Sequence, residues 1–228
     1  MKRSVKKGNI GEEKVISLFS TIKDEHYLIN NLILIGDNGV SHQFDHILIR
    51  HNGVFVIETK NYYGTISGNK EDNMWTKTYY KRGKLVTEKF MNPIKQNNAH
   101  IRCLKKLLGK DIPFINFVVF VDNDVSSLSI YNACDINNIL IRIYSWEIDT
   151  PLSSKEMKSI NDKLLLLEAD IQSEDHVKNV KSLKKDRLTE KKESILVMEK
   201  GICPICGNKI TMDKNIYFCK KCRYQLKV

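Results

Sequence analysis

Long uncharged apolar runs are missing from this chain of 228 residues. A membrane-spanning helix needs about 18 or more consecutive apolar residues, and no such run occurs. The opening Met-Lys-Arg-Ser-Val-Lys-Lys is not followed by an apolar stretch, so it does not have the form of a secretory signal. We therefore expect a cytoplasmic protein with no membrane span.

Acidic residues do not balance the basic ones, least of all towards the C-terminus. The whole chain has 37 Lys and Arg against 27 Asp and Glu, a net charge of +10. Residues 1–170 carry 23 basic and 20 acidic side chains, whereas residues 171–228 carry 14 and 7. Basic excess concentrated in one segment favours a polyanionic partner, most often nucleic acid. General solubility is the simpler interpretation.

The six cysteines are of two kinds. Cys103 and Cys134 are isolated, and we expect them to be buried as small apolar residues. The other four form a C-x2-C-x12-C-x2-C pattern, in which each pair can hold one tetrahedral Zn²⁺ and the gap is long enough for a hairpin. A segment this short cannot fold on its apolar core alone. Bound zinc would therefore supply the folding energy. A redox dithiol is the alternative. The predicted zinc ligands are Cys203, Cys206, Cys219 and Cys222.

Residues 41–61 contain two apolar runs on either side of Asn52-Gly53. Asn-Gly between apolar runs predicts a β-hairpin, because a type I′ turn needs positive φ at both central residues. A two-residue turn there pairs Ile47 with Glu58 and Asp45 with Lys60. Directly opposed residues share a face of the sheet. We therefore expect Asp45, Glu58 and Lys60 to converge at the open end of the hairpin.

This convergence has an electrostatic cost. Both faces of the hairpin are otherwise apolar, which is typical of strands inside a layered α/β fold. Two carboxylates and an ammonium lose solvation there unless they pair or bind a metal. One interpretation is a buried ion pair of Asp45 with Lys60, with Glu58 paired elsewhere. The other is a site for Mg²⁺, which prefers carboxylate and phosphate oxygens.

Two predicted helices flank this hairpin in the sequence. The first follows Gly8–Gly11 and begins with Glu12, which lies at helical spacing from Val15 and Phe19 and so shares their inward face. The second runs from Pro93 to Leu108 and ends before Gly109. Gln96, near its start, can hydrogen-bond a phosphate or a water, although a surface role is the simpler interpretation.

The rest of residues 1–170 predicts a mixed α/β domain. Apolar runs indicate strands, a second hairpin turns at Arg82-Gly83, and a capping box starts a late helix. Trp75 and nearby tyrosines alternate with lysines, where bases could stack, but for Trp75 core packing is the simpler interpretation. The predicted strands are 27–34, 113–121 and 139–144, and the late helix is 153–168.

The order of these motifs resembles a known nuclease family. Asp45 followed by Glu58-Thr59-Lys60 resembles the PD-(D/E)xK nuclease core, with Phe44 where the superfamily's name has proline. The wider set resembles the nuclease-related domain (NERD) family. The matching segments are Gly11-Glu12, Phe44-Asp45-His46, residues 54–61, Gly64, Trp75 and Asn92-Pro93 with Gln96.

This resemblance implies a restriction-endonuclease-like mixed sheet flanked by helices and a metal-dependent nuclease, with DNA as the expected substrate. It implies that Glu12, Asp45 and Glu58 hold Mg²⁺ or Mn²⁺, that Lys60 acts on the water or phosphate, and that Gln96 is a second positioning group. A binding protein that keeps the fold without cutting is the alternative.

We expect three segments: a nuclease-related domain at residues 1–170, a basic linker at 171–198 that is helical or flexible, and a zinc ribbon at 199–228. The ribbon resembles those at the C-termini of type I topoisomerases. Such ribbons usually bind nucleic acid, so we expect it to aid nucleic-acid binding. An adaptor that recruits a protein partner through the ribbon is a further alternative.

Overall fold

The computed structural model describes residues 2–36, 39–168, 197–204, 206–213, 216–221 and 225–227. The chain divides into two compact units, Met1–Ile171 and Gln172–Val228. The predicted linker lies almost wholly outside the described residues, so its helical or flexible character and the three-segment division stay predictions. Among the described residues no helix is long and apolar enough to cross a membrane.

The described residues of the first unit form four helices and eight strands. Its elements are α1 (Lys2–Phe19), β1 (Tyr27–Ile35), β2 (Ser41–Arg50), β3 (Gly53–Lys60), β4 (Thr65–Ser67), β5 (Met74–Lys81), β6 (Lys84–Met91), α2 (Pro93–Leu108), β7 (Phe114–Phe120), β8 (Ala133–Asp135), α3 (Ile139–Tyr144) and α4 (Ser154–Leu166).

Five of these strands form a mixed sheet in the order β1-β2-β3-β7-β8. The first three are antiparallel neighbours, whereas β3, β7 and β8 run parallel. Parallel neighbours need a crossover connection, and the segment containing α2 supplies it between β3 and β7. Strand β3 is central and buried from Gly53 to Glu58, which explains why its sequence is apolar on both faces.

Helices cover both faces of the sheet. On one face α2 and α4 pack against β1, β2 and β3, with Leu104 and Leu164 fully buried. On the other face α1 and α3 pack against β3 and β7, with Phe19 and Ile139 fully buried. Burying such a side chain contributes roughly 1.5–3 kcal/mol, which outweighs the weak local preference of short helices. The predicted mixed α/β sheet flanked by helices is confirmed.

The ends of two helices agree with their sequence signals. Pro93 begins α2 and Gly109 follows its end, while the Asn92 side chain accepts hydrogen bonds from the first turn. The capping box of Ser153 and Glu156 is formed at the start of α4. Local chemistry therefore sets these boundaries, and α2 is placed beside β3 from its first residue.

The pairing of β2 with β3 differs from the predicted register. Gly53 pairs with Arg50, so the turn is His51-Asn52 and the pairing is shifted by two residues. The shift shows that two predicted pairs are wrong: Ile47 with Glu58, and Asp45 with Lys60. Ile47 instead pairs with Val56.

The reason for the shift lies in the Asn52 side chain. Its amide donates to the carbonyl oxygens of Ile143 at 2.7 Å and Trp146 at 3.0 Å. Asn52 does not have the positive φ that a type I′ turn requires. A Cβ on Gly53 would lie 2.2 Å from the Ile115 side chain, so this glycine is needed for close packing on β7 rather than at a turn centre.

Helix α1 begins at Lys2, so the prediction that Gly11-Glu12 opens this helix is wrong. Gly11 lies inside the helix, where glycine is costly unless something requires it. A Cβ at this position would lie 2.7 Å from the Asn61 Cβ. The glycine therefore allows close contact between the helix and the residue that follows β3, and Glu12 has no N-terminal dipole to stabilise it.

The segment Ile139–Tyr144 was predicted to be a strand but is the helix α3. Ile139 and Ile143, four residues apart, are buried, whereas Ile141 is exposed. This is the pattern of a helix face, which so short a mainly apolar segment could not distinguish from a buried strand. The edge strand that pairs with β7 is the short β8.

A second sheet, in the order β4-β5-β6, lies at one end of the first unit. The β5–β6 hairpin turns at Arg82-Gly83 as predicted, and both residues have positive φ, 51° and 75°. Trp75 is fully buried against Phe120 and Ile66. Core packing is therefore the correct interpretation of Trp75.

The second unit contains a small antiparallel sheet in the order β11-β10-β9. Its strands are β9 (Thr211–Asp213), β10 (Ile216–Phe218) and β11 (Gln225–Lys227). Ile210 and Tyr217 form its apolar core with the cysteines. Met198 is also buried in this core.

Candidate functional site

Three polar side chains meet at the C-terminal end of β3. The Glu58 carboxylate is 4 % exposed as a residue and accepts a hydrogen bond from Lys60 Nζ at 2.5 Å. Gln96 Nε2 donates to the same Glu58 oxygen at 2.7 Å. Lys60 Nζ lies 3.4 Å from Gln96 Oε1. The predicted residues Glu58, Lys60 and Gln96 are thus brought together from β3 and α2.

Asp45 lies beside this group on β2. Its Oδ2 accepts a hydrogen bond from the Thr59 N–H at 2.8 Å. Burial raises the pKa of the Asp45 carboxyl well above its usual value, and the negative charge of Glu58 raises it further. The ion pair of Lys60 is with Glu58. The interpretation in which Lys60 pairs with Asp45 is therefore wrong.

Glu12 reaches the same region from α1. Burial raises the pKa of Glu12, a hydrogen bond from Asn31 opposes this, and the charge of Glu58 raises it again. Glu12 is therefore within electrostatic range of Glu58 and Lys60. Helix α1 and strands β2 and β3 together supply three carboxylates to one end of the sheet.

The Lys60 ammonium is the positive charge among these carboxylates. Burial would lower its pKa, but the charge of Glu58 together with other nearby groups, including Asp45, raises the pKa above its usual value. In this arrangement Lys60 is therefore an ammonium at neutral pH and a hydrogen-bond donor.

The position of Gln96 depends on a buried neighbour on α2. The Asn97 amide donates to Val56 O at 2.7 Å and to Phe117 O at 3.1 Å, joining α2 to β3 and β7. Asn97 is 1 % exposed, so these bonds form where water cannot replace them. The helix is therefore fixed in rotation, and Gln96 faces Glu58.

Sequence reasoning missed Asn31 as a site residue. Asn31 has φ of 55°, which is uncommon for a residue other than glycine, and it interrupts the β1–β2 pairing opposite Asp45. The Asn30-Asn31 pair inside an apolar strand was the available signal, because asparagine tolerates this conformation. The strained backbone points the Asn31 side chain to Glu12.

Two histidines also adjoin the site. His100 Nδ1 lies 3.9 Å from Glu58 Oε2, on the helix face next to Gln96. His46 is fully buried, and its ring nitrogens lie 2.7 Å from Asn30 Oδ1 and 3.1 Å from Thr59 Oγ1. Burial lowers the pKa of His46 to about 4, so this ring is a neutral link between β1, β2 and β3.

The donor set fits a divalent cation. The charge of Glu58 raises the cost of ionising Asp45, and one ammonium faces the two carboxylates, so added positive charge would be stabilising. Their hard oxygen atoms suit Mg²⁺ or Mn²⁺. Among the described residues, the carboxylates do not form a group of three ligands within 4.8 Å of one another. Sharing one cation among Glu12, Asp45 and Glu58 therefore requires side-chain movement.

A second candidate metal site lies in the second unit. The sulfur atoms of Cys203, Cys206 and Cys219 all lie within 4.8 Å of one another. The Cys206 and Cys219 sulfurs are 3.6 Å apart, close to the roughly 3.8 Å between thiolates on tetrahedral zinc and far from the about 2 Å of a disulfide. The fourth predicted ligand, Cys222, lies outside the described residues. The three thiols are compatible with a zinc ribbon.

The lone cysteines behave as the sequence indicated. Cys103 and Cys134 are buried and form no disulfide. Burial raises the pKa of the Cys134 thiol to about 12, so it stays protonated at neutral pH. Both thiols are packing groups rather than metal ligands.

Comparison with known sequences identifies the family. The sequence model of the nuclease-related domain matches residues 7–121. The chain belongs to the nuclease-related domain family. An uncharacterized protein of Bacillus anthracis is 34 % identical over 115 residues. The match covers 50 % of this chain and 52 % of that protein, so the chain spans about half the length of the relative it matches.

The nuclease-related domain match includes every residue of the β3 site. Glu12, Asp45, Glu58, Lys60 and Gln96 all fall within residues 7–121, whereas the four predicted zinc ligands fall outside. The resemblance drawn from the sequence motifs is confirmed at the level of family. The roles of these five residues, and any activity of the chain, stay predictions.

Proposed function

We propose that this chain is a metal-dependent nuclease that hydrolyses phosphodiester bonds, with DNA as the expected substrate. One observation carries the proposal: the buried Glu58 carboxylate binds Lys60 and Gln96 at once, beside a second carboxylate, Asp45. Two carboxylates and a lysine that meet in this way can together hold a divalent cation and contact a charged phosphodiester. Membership of the nuclease-related domain family supports this reaction class.

Glu12, Asp45 and Glu58 would hold Mg²⁺ or Mn²⁺. Such a cation, when bound, lowers the pKa of water and neutralises charge that develops on phosphate. The raised pKa values of Glu12 and Asp45 support this assignment, because burial and the charge of Glu58 make both carboxylates costly to ionise without added positive charge. A bound cation would supply that charge and favour the ionised form of both groups.

Lys60 acts as a hydrogen-bond donor in this scheme. While Lys60 is paired with Glu58 its pKa is raised, so it is protonated and can orient a water or contact a phosphate oxygen. In the observed arrangement Glu58 holds its ammonium group. If Glu58 were to hold the cation, Lys60 would be free to contact the phosphate, where its positive charge would stabilise the transition state.

Gln96 is the second positioning group. Its amide nitrogen bonds Glu58 and its amide oxygen faces Lys60, so it fixes the separation of the two charged groups. Because α2 is anchored by Asn97, this geometry exists before substrate arrives. Preorganised contacts of this kind supply much of the rate gain in enzymes.

The second unit would bind Zn²⁺ and aid nucleic-acid binding. Three described cysteines are arranged for such an ion, and Cys222 would complete the tetrahedron. The basic excess of residues 171–228 supports a polyanionic partner. We place this activity in the cytoplasm, in keeping with the sequence features.

Cleavage assays test the proposal. Purified protein is incubated with labelled single-stranded DNA, double-stranded DNA and RNA, with Mg²⁺, Mn²⁺ or chelator. We expect DNA to be cut with at least one of the metals and not with chelator. Intact substrates under all conditions would contradict the enzyme proposal.

A non-cutting nucleic-acid-binding protein or an adaptor is the second candidate. The observation that favours it is the direct Glu58–Lys60 ion pair, which also satisfies both charges without a metal. In that case the chain would bind nucleic acid or a protein partner and leave the substrate whole. The same assay separates the two functions.

A further inference from the structure

An open groove of about 1290 Å³ lies between the segment that follows β3 and the β5–β6 hairpin. Three lysines and four tyrosines line it, and its lining residues include no Asp or Glu. Two of the rings are well exposed: Tyr63 at 66 % and Tyr80 at 77 %. Leu85, the cross-strand partner of Tyr80, is also exposed. Large exposed side chains gathered in one groove mark an interaction site.

The groove is structurally fixed on its loop side. Gly64 has φ of 82°, and a Cβ there would lie 2.1 Å from Thr78 O, so the loop lies directly against β5. The Asn123 side chain accepts from the Tyr62 N–H at 3.1 Å and donates to Gly64 O at 3.1 Å. Tyr63 lies between Tyr62 and Gly64 in the chain, so these contacts hold it in a defined position beside the groove.

The hairpin side of the groove is rich in positive charge. Lys77 is paired with Glu88 at 2.9 Å and lies 4.7 Å from the centre of the Tyr62 ring. Lys81, further along β5, is directly opposite Lys84, with Arg82 in the turn between them. Like charges in directly opposed positions are destabilising. A polyanion in the groove would relieve this repulsion.

The groove is continuous with the candidate nuclease site. Lys60 lines the groove and contacts both Glu58 and Gln96. A chain lying in the groove would therefore pass the group that we assign to the phosphate. No other lining residue also contacts Glu58 among the described hydrogen bonds.

We propose that this groove binds a single-stranded segment of a polynucleotide, with bases stacked on Tyr63 and Tyr80 and phosphates held by Lys77 and Lys81. Exposed rings interleaved with lysines suit a single strand, because each base has a face that can stack while the cations follow the backbone. In a duplex those faces are already stacked on neighbouring bases. The proposal rests on the proposed nuclease function and names its substrate as unpaired strand.

Binding measured in chelator tests the groove without any cleavage. The probes are fluorescent oligo(dT) and oligo(rU) of about 15 nucleotides, a suitable length for a binding site of this type, and a duplex of the same length. The two single-stranded probes distinguish DNA from RNA. The variants of the full chain are Tyr63→Ala, Tyr80→Ala, Tyr80→Phe and Lys81→Gln. Met74→Ala and Lys89→Gln, exposed positions on the same hairpin outside the groove, are the matched controls.

We expect each Tyr→Ala change to weaken single-strand binding about 5- to 100-fold, the loss of one stacked base. Tyr80→Phe keeps the ring and should bind within about two-fold of the parent chain. Lys81→Gln should weaken binding and lower its salt dependence, because one phosphate contact is lost. The controls and duplex binding should change little.

If Tyr80→Ala and the parent chain bind oligo(dT) and oligo(rU) with equal affinity, the proposal is overturned. A protein segment would then be the favoured occupant of the groove. Equal losses on duplex and single strands would overturn it as well. A chain that binds single strands through Tyr80 but cuts nothing with Mg²⁺ or Mn²⁺ supports the groove and contradicts the nuclease proposal. If the chain cuts its substrate and Tyr80→Ala does not change single-strand binding, the nuclease proposal is supported and the groove proposal is contradicted.

Discussion

At the scale of single residues, the site consists of charges removed from water without full compensation. Glu58 pairs with Lys60, whereas Asp45 beside it depends on one backbone N–H and has a raised pKa. Such a group is a poor way to stabilise a fold, because desolvation costs more than the pairing returns. It is a suitable way to hold a divalent cation near a phosphate.

Asn31 gives a residue-scale prediction. Glycine tolerates φ of 55° as asparagine does, but it cannot bond Glu12. Asn31→Gly should therefore keep the fold and lower metal-dependent cleavage. Asn31→Val should also lower the free energy of unfolding by about 1–2 kcal/mol, because a β-branched residue is strained in this conformation.

Thermal melts and cleavage rates of the two variants separate these effects. The informative comparison is Asn31→Gly with the parent chain at equal metal concentration. A folded Asn31→Gly protein that cuts at the parent rate would show that Asn31 has no part in positioning Glu12.

His46 gives a second residue-scale prediction. Its folded pKa of about 4 lies below the usual value of about 6.5. As pH falls, the unfolded chain binds this proton first, so the contribution of His46 to stability is fully present above pH 6.5 and is lost towards pH 4. The loss amounts to up to about 3 kcal/mol.

Histidine ring signals in NMR measure this directly. The His46 signal is the one that disappears in His46→Gln. In the parent chain this signal should remain that of a neutral ring down to about pH 4. Titration of that ring near pH 6.5 would contradict its burial between Asn30 and Thr59.

At the scale of elements, α2 holds the site together through its N-cap. Asn92 accepts from Ile94 N and also donates to the carbonyls of Lys70 and Asp72, at 3.0 Å and 2.8 Å. Asn92→Ala should lower the free energy of unfolding by about 1–2 kcal/mol. Asn138 precedes α3 without a side-chain capping bond, so Asn138→Ala is the matched control and should cost less.

Urea unfolding of both variants gives the comparison. The denaturant midpoint should fall further for Asn92→Ala, with an unchanged slope. Equal midpoints would mean that packing, rather than the cap, fixes the start of α2.

The two hairpins show how far the sequence determines an element. Arg82-Gly83 has only local interactions to satisfy, and it forms the turn that its sequence predicts. Asn52-Gly53 carries a stronger turn signal, but Asn52 bonds α3, which is 91 residues distant in sequence. Local turn chemistry could not reveal this contact, because the position of α3 depends on the whole core.

The register error nevertheless left the site intact. The shift is of two residues, and side chains alternate with a period of two, so each residue stayed on its predicted face. Asp45, Glu58 and Lys60 therefore still lie together. Asn31 could not be placed from sequence, because its role depends on a backbone angle and on α1.

At the scale of the whole molecule, the second unit should depend on metal. Its described core is a few residues around the cysteines, too small to fold without a metal or another cross-link. We expect one zinc per chain and loss of the unit's structure in strong chelator. Cys219→Ser should lose the zinc, while Cys103→Ser, a change at a lone buried cysteine, should retain it.

Metal analysis of the purified variants measures the stoichiometry. The experiment also tests Cys222, which should be needed as the fourth ligand. Zinc bound equally by Cys219→Ser and the parent chain, or a disulfide among these cysteines, would contradict a zinc ribbon.

The central claim is that the β3 site cuts phosphodiester bonds, and Glu58→Gln tests it most directly. The change keeps the size of the side chain. It removes the negative charge that pairs with Lys60 in the structure and that would hold the cation. Glu147→Gln, at an exposed glutamate of the same unit, is the matched control. The measurement is the rate of metal-dependent DNA cleavage by the three folded proteins, with melting temperatures recorded in parallel. We predict a loss of at least about 100-fold for Glu58→Gln and none for Glu147→Gln. Cleavage at the parent rate by folded Glu58→Gln would contradict the assignment of the chemistry to this site.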